Sequence, residues 1–136
     1  MGITVSWYNA EQTIVLEKFE ADFTSTDYVN MVRQARDMLL SRQDWVHVMV
    51  DFSMVKHIPR SINPLSMMRQ VNAAHPHNQG IVVYINSLTL VDTMVSIAKQ
   101  IGMEAASHVY NARSIDEALQ IIARESVKLA AFVARS

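Results

Sequence analysis

The sequence contains no cysteine, and only three glycines and three prolines occur among its 136 residues. The absence of cysteine excludes disulfides, thiolate nucleophiles and thiolate zinc sites. Three dispersed glycines cannot form a Gly-rich phosphate-binding loop, and the Gly-x-Ser-x-Gly pattern of serine hydrolases is missing. Because no Ser/His/Asp arrangement or other catalytic set can be assigned, we predict a domain that is not an enzyme and uses no cofactor.

An excess of charge of either sign is also missing. The formal net charge is −1, and 18% of the residues are charged. Nucleic acids and anionic membranes are bound by clustered Lys and Arg, so this balance gives no electrostatic case for either. We therefore expect no nucleic-acid partner.

Long hydrophobic runs are absent as well. Half of the residues are hydrophobic, but the uninterrupted apolar stretches are only a few residues long, against the ~20 residues that span a bilayer. The first nine residues have neither the basic start nor the apolar stretch of a signal peptide. We expect a single globular domain over residues 1–136, with no transmembrane segment and located in the cytoplasm.

Hydrophobic periodicity predicts an alternation of strands and helices. Two segments of period two, separated by a polar turn, predict an antiparallel hairpin, and in the second of them Val15, Glu17 and Phe19 fall on one face. Asn63-Pro64 is a strong helix start, because Asn caps free amides and Pro fits the first helical position. The predicted order is β-β-α-β-α-β-α-β-α, with strands at 3–8, 13–19, 46–52, 81–85 and 107–110 and helices at 24–40, 64–74, 88–101 and 115–133.

This order predicts an α/β fold. After the hairpin, each further strand is reached through a helix, so these strands should be parallel and joined by right-handed crossovers. The segment 46–52 is apolar almost throughout, which is typical of a central strand buried on both faces.

Two short motifs stand at defined places in this order. The central strand ends in Val50-Asp51-Phe52-Ser53-Met54-Val55, and the last helix begins with Ser114-Ile115-Asp116-Glu117-Ala118. Together with the order of elements, from Ile3 to about Ala130, they resemble the STAS family, and specifically its SpoIIAA-like (anti-sigma-factor-antagonist) branch. The resemblance implies a sheet of about five strands, mixed with a parallel core, and helices mainly packed on one face. It also implies a bacterial, non-enzymatic regulatory module that binds a protein partner.

The resemblance makes Ser61 a candidate phosphoacceptor. In phosphorylation-regulated members, a serine in an Asp-Ser-Ser-Gly-like motif precedes the second helix. Here Pro59-Arg60-Ser61-Ile62 stands in that place, with Pro59 in place of the Asp and Ile62 in place of the Gly. A phosphate would add a charge of roughly −1.5 to −2 beside the helix start, with Arg60 able to pair with it. Alternatively, Ser61 only hydrogen-bonds the loop.

A partner or ligand surface is expected at the same end of the sheet. Open α/β sheets tend to bind ligands at the carboxyl ends of their strands, although Asp and Ser at such ends also serve simply to form turns. Methionines near this end suit apolar binding surfaces, and they equally suit a core. The candidate residues are Asp51, Ser53, Met54, His57, Arg60, Asn63, Met67 and Met68.

A second function remains open beside the regulatory one. The domain could carry or sense a small apolar ligand or lipid in a pocket between the helices at 64–74 and 88–101 and the sheet. A metal is not expected, because His75 and His77 have no clear third ligand. The apolar run from Val127 to Ala134 favours a homodimer formed through the last helix.

Overall fold

The computed structural model describes residues 2–134, and the side chains as far as residue 132; residues 1, 135 and 136 of the predicted domain lie outside the described residues. The strands are β1 (Ile3–Trp7), β2 (Ile14–Phe19), β3 (Val46–Asp51), β4 (Gln79–Ile85) and β5 (Val109–Ala112). The α-helices are α1 (Ser25–Leu40), α2 (Pro64–Ala73), α3 (Thr89–Gln100) and α4 (Ile115–Ala134), and a short 3₁₀ turn occupies Glu104–Ala106.

The five strands form one mixed sheet in the order β1-β2-β3-β4-β5. Strand β1 pairs antiparallel with β2, and all other neighbours are parallel. The predicted α/β order and the mixed sheet with a parallel core are therefore confirmed. β3 is the central strand, and it is buried almost throughout, as its apolar sequence predicted.

Helices α1, α2 and α3 cover one face of the sheet, and α4 covers the other. Each new parallel strand is added on the same side of the previous one, so right-handed crossovers place all three connecting helices on one face. No strand follows α4, which is therefore able to cover the opposite face. This confirms helices mainly packed on one face, and it divides the core into two layers.

The helix starts follow the cap chemistry of the sequence. Thr24 and Asp27 form a capping box at α1, and the Asn63 side chain accepts hydrogen bonds from the Leu65 and Ser66 amides at α2. Gly102, just after α3, has φ +77°, a backbone conformation in which glycine carries no steric penalty.

The last strand differs from its prediction. Residues 107–110 were expected to form it, whereas β5 covers Val109–Ala112. The 3₁₀ turn ends at Ala106, and the Ser107 hydroxyl closes it by donating to the Glu104 carbonyl at 2.6 Å. Within the part of the chain that the structure describes, no helix is both long and apolar enough to cross a bilayer.

Candidate ligand cavity and neighbouring loop

A cavity of about 130 Å³ lies between the sheet and helices α1, α2 and α3. The closest backbone approaches of α2 are to α1, α3 and the 3₁₀ turn, whereas α4 lies close against β4 on the other face. Because α2 and α3 roof the sheet instead of packing tightly on it, a space remains beneath them. This is the position at which the sequence predicted a pocket, with α1 as an additional wall.

The cavity wall is almost entirely apolar. Its floor comes from alternate residues of β2 to β5, which share one face of the sheet. Met67 and Met68 on α2 both line it, so two of the predicted surface residues belong to the interior of this space. The principal lining side chains are Val48, Val50 and Val82 from the sheet, Met31 and Leu39 from α1, Val71 from α2, and Val91, Met94 and Val95 from α3.

Glu17 on β2 introduces a carboxyl group into this apolar space. It is 8% exposed and lines the cavity, and its carboxylate is in no ion pair or hydrogen bond within residues 2–134. Burial raises the pKa of the Glu17 carboxyl to about 8, because the charged form loses its hydration. The group is thus mostly neutral at pH 7 in the empty protein.

Aromatic rings form one end of the cavity. Phe19 lies 4.6 Å from Phe52 and 6.2 Å from Tyr28, measured between ring centroids, and Phe52 lies 5.8 Å from Tyr84. All four rings line the cavity together with Glu17. The Tyr28 hydroxyl donates to the Met67 carbonyl at 3.3 Å, and so links α1 to α2 across the cavity. This hydrogen bond therefore connects the two helices at the aromatic end of the cavity.

Tyrosine ionisation is opposed inside the cavity. Burial is the main cause of the raised pKa of both Tyr28 and Tyr84, and the nearby Glu17 carboxylate adds to it. Both phenols are therefore neutral at physiological pH, and both side chains line the cavity.

Asp51 and Ser53 belong to a turn at the carboxyl ends of β3 and β4. The Ser53 amide donates to Asp51 Oδ1 at 2.9 Å, and Asn86 Nδ2 donates to Ser53 Oγ at 2.8 Å. Asp51 itself is only 8% exposed. These contacts join the two strand ends, which is the turn-forming alternative that the sequence left open for this pair.

The loop after this turn exposes the other predicted surface residues. Met54, His57, Arg60 and Ser61 are all exposed, with 59% of Met54 accessible. Loop residues Val55 and Ile62 are buried and fix the loop to the domain. The loop therefore has a buried side and an exposed side, and Ser61 lies on the exposed side.

Ser61 does not face a row of unoccupied helix amides. Pro64 has no N–H, and the next two amides donate to Asn63 Oδ1 at 2.9 and 3.3 Å. Asn63 thus already fills the anion position that the sequence assigned to a phosphate at the start of α2. A phosphate on Ser61 would depend on Arg60 and solvent instead.

The histidines do not form a metal site in the described part of the chain, where no group of three or more His, Asp or Glu is close enough to hold an ion. His47 has a structural contact: its Nδ1 accepts a hydrogen bond from the Ile81 amide at 2.9 Å. Burial lowers the pKa of His47, which favours the neutral form that accepts this bond. His47 is therefore a sheet residue whose ring nitrogen is paired with the backbone of the neighbouring strand.

Glu17 was not among the residues that the sequence singled out. The sequence did contain an indication of its position. The period of two placed Glu17 on the same face as Val15 and Phe19, and a carboxyl between two core positions is unusual. Whether that carboxyl would have a partner could not be read from the pattern, because the answer depends on side chains from α1 and the neighbouring strands.

Comparison with known proteins identifies the fold. No model of a protein family matches the chain, and no curated protein matches it. Among solved structures, the Bacillus cell fate determinant SpoIIAA in its phosphorylated form matches with a TM-score of 0.51 and 14% sequence identity, over 88% of this chain and 98% of SpoIIAA. The likeness shows that this chain has a SpoIIAA-like, STAS-type fold, in agreement with the resemblance seen in the sequence.

Proposed function

We propose that this domain is a non-enzymatic regulatory module of STAS type that senses a small apolar molecule in the cavity beneath α1, α2 and α3. The observation that supports this proposal is the cavity of about 130 Å³ with almost wholly apolar walls. An apolar cavity of ~150 Å³ is known to hold a benzene-sized molecule in another protein. We further propose that the domain acts in the cytoplasm through a protein partner.

The loop between β3 and α2 gives a route from the cavity to the surface. Ile58 in this loop and Pro64 at the start of α2 both line the cavity, while Met54, His57 and Arg60 are exposed on the same loop. A ligand that moves α2 would therefore move the exposed side chains. We propose these exposed residues as the partner surface. A ligand changes the affinity for a partner when it favours one of two positions of the loop, and the partner binds that position better.

Native mass spectrometry of the protein purified from its source tests the proposal. We expect a retained small molecule, released by denaturation and identified from the extract. Calorimetric titration with tert-butylbenzene provides a direct measure of binding. If no molecule is retained and the titration shows no binding, the sensor function is wrong.

A pair of variants on α3 locates the binding. Val95 lines the cavity, whereas Ile97 is 48% exposed and does not line it. Val95→Phe should fill the space and reduce tert-butylbenzene affinity at least about tenfold, the equivalent of one to two lost methylene contacts. Ile97→Phe should leave the affinity for tert-butylbenzene unchanged. Thermal unfolding of both variants shows whether either has lost the fold.

A second candidate for the input is phosphorylation of Ser61. The observation in its favour is that Ser61 is exposed, next to the exposed Arg60, on the loop of the proposed partner surface. Phosphopeptide mapping of the protein from its source tests this candidate. A phosphate on Ser61 would support it, and unmodified peptide under all growth conditions, together with normal function of Ser61→Ala, would exclude it.

A further inference from the structure

The buried carboxyl of Glu17 indicates what kind of molecule the cavity takes. A carboxyl removed from water without a hydrogen bond or counter-ion is unfavourable, and proteins retain such groups mainly at functional sites. On the sheet, Glu17 is flanked by Val5 and Val50 on the neighbouring strands, and by Val15 and Phe19 along its own strand. None of these side chains can donate a hydrogen bond, so the fold itself supplies no partner there.

Among the described residues, no charged or titratable group around the cavity forms an ion pair or hydrogen bond with the Glu17 carboxyl. From α1, Tyr28 and Arg36 line the cavity, and from β4, Tyr84 does so. The lining residues of α2, α3 and the 3₁₀ turn contain no titratable side chain. Arg36 is exposed and makes no ion pair with Glu17 within residues 2–134. The negative group and the positive group of the cavity wall therefore remain separate.

The surroundings of Glu17 favour a positive charge on the ligand. The rings of Phe19, Tyr28, Phe52 and Tyr84 line the same cavity. Ring faces attract cations, and aromatic enclosures are used to bind quaternary ammonium groups. A carboxylate among aromatic rings combines two attractions for the same type of group, and the methyl groups of an organic ammonium also fit an apolar wall.

We propose that the cavity binds an organic cation with an apolar body, and that its ammonium group lies against Glu17 among these aromatic rings. This inference rests on the proposed function, because it assigns the chemical class of the sensed molecule. Glu17 is then the residue that determines ligand specificity, and the valines and methionines of α2, α3 and the sheet enclose the apolar body. An anionic amphiphile, such as a fatty acid, is disfavoured by the same carboxyl.

Two probes of equal shape separate charge from size. Phenyltrimethylammonium carries a permanent positive charge, and tert-butylbenzene is its neutral counterpart. We expect the wild-type protein at pH 9 to bind the cation at least tenfold more tightly than the neutral probe in calorimetric titration. Equal or tighter binding of the neutral probe would overturn the inference while leaving the cavity function intact. Failure of both probes, together with no small molecule retained in native mass spectrometry, would instead overturn the proposed function.

The Glu17→Gln variant tests the carboxyl directly. It keeps the shape of the side chain and removes the charge, so phenyltrimethylammonium affinity should fall at least tenfold and tert-butylbenzene affinity should hold or rise. Glu20→Gln, on an exposed residue just beyond β2, should change neither. Unchanged binding of the cation by Glu17→Gln would overturn the inference.

The pH dependence provides a second readout. The carboxyl must release its proton to meet a permanent cation, and its pKa is about 8. Affinity for phenyltrimethylammonium should therefore rise about tenfold between pH 7 and pH 9 and then level off, as the ionised fraction does. The two tyrosines stay neutral over this range, because burial raises the pKa of both phenols. Binding that is independent of pH in the wild type would contradict the assignment of Glu17.

Discussion

Glu17 and Tyr84 lie in the same row of the sheet, on opposite sides of Val50, and both face the cavity. Two strand spacings separate their backbones by roughly 10 Å. The Glu17 carboxylate adds to the effect of burial in raising the pKa of the Tyr84 phenol. The two groups are thus electrostatically coupled, so that a proton lost from Glu17 makes ionisation of Tyr84 still less favourable.

Glu17 should make the stability of the protein fall as pH rises. The folded pKa of about 8 lies above the unfolded value of 4.5, so between these two pH values the folded state holds a proton that the unfolded chain has released. The free energy of unfolding therefore decreases across pH 4.5 to 8 and is flat above it, with a total loss of at most roughly 5 kcal/mol. Glu17→Gln should remove this loss.

Urea unfolding of the wild type and Glu17→Gln at pH 5, 7 and 9 measures the effect. The difference between the two proteins cancels the contributions of other groups, such as the lowered pKa of His47. We expect the variant to gain stability over the wild type as pH increases. A difference that does not change with pH would show that Glu17 is hydrated in solution.

Asn78 should be a major stabilising residue outside the cavity. It is 4% exposed, and its Nδ2 lies 2.7, 3.1 and 3.0 Å from the carbonyl oxygens of Leu39, Arg42 and Asp44. It thereby ties the end of α1 to the entrance of β3. Asn78→Ala removes all three hydrogen bonds, although the Leu39 carbonyl still accepts from the Arg42 amide at 3.1 Å. We therefore expect a loss of about 2 to 3 kcal/mol in the free energy of unfolding.

Asn72→Ala is the matched control for Asn78. Among the described residues, the Asn72 side chain has one long hydrogen bond, in which its Oδ1 accepts from the Ala105 amide at 3.4 Å. Chemical denaturation should show a loss of less than about 1 kcal/mol for this variant. Similar losses in both variants would mean that the three carbonyls near Asn78 find water when its side chain is removed.

Gly80 should not tolerate a side chain. A Cβ added at this position would lie 2.4 Å from Nδ1 of His47, the atom that accepts the Ile81 amide hydrogen bond. Gly80→Ala must displace the imidazole and break that bond, so we expect a loss of about 1 to 3 kcal/mol, measured by thermal unfolding. Gly80→Ala combined with His47→Ala should recover part of it, whereas additive losses would contradict the steric explanation.

The homodimer expected through the last helix stays a prediction. Val127 on α4 is 69% exposed, while Leu129 on the same helix is buried against the sheet. If the exposed side of α4 is the dimer contact, light scattering should give twice the chain mass for the wild type and a single mass for Val127→Glu. Gln120→Glu, on an exposed position earlier in the helix, should remain dimeric. A monomeric wild type would exclude the dimer.

Most of the fold could be predicted from periodicity and cap chemistry. The hairpin followed by βα units fixed the sheet type, because the period of two and the helical spacing were clear and the crossover hand is nearly invariant. The start of α2 was confirmed because Asn63-Pro64 is specific for a helix start. The last strand was displaced by two residues, because β5 is short and the 3₁₀ turn at Glu104–Ala106 has no distinctive sequence pattern.

The candidate site was less predictable than the fold. Met67 and Met68 could be associated with a pocket, but its size depends on the separation of α2 and α3 from the sheet, which no local pattern specifies. The expectation for Ser61 came from the resemblance and placed its phosphate beside the start of α2, where the Leu65 and Ser66 amides donate to the side chain of Asn63 instead. A cap residue and a bound anion use the same N–H groups, so the Asn63 cap and a phosphate on Ser61 would compete for them.

The unequal covering of the two sheet faces has a mechanical consequence. On one side, the single long helix α4 covers the strands with buried side chains such as Ala118, Ile122 and Leu129. If the cavity binds a ligand as proposed, the layer of α4 can stay in place while α1, α2 and α3 move around the ligand. Ligand entry and release would then require only a movement of the helices on that face, and the strands would keep their alignment throughout.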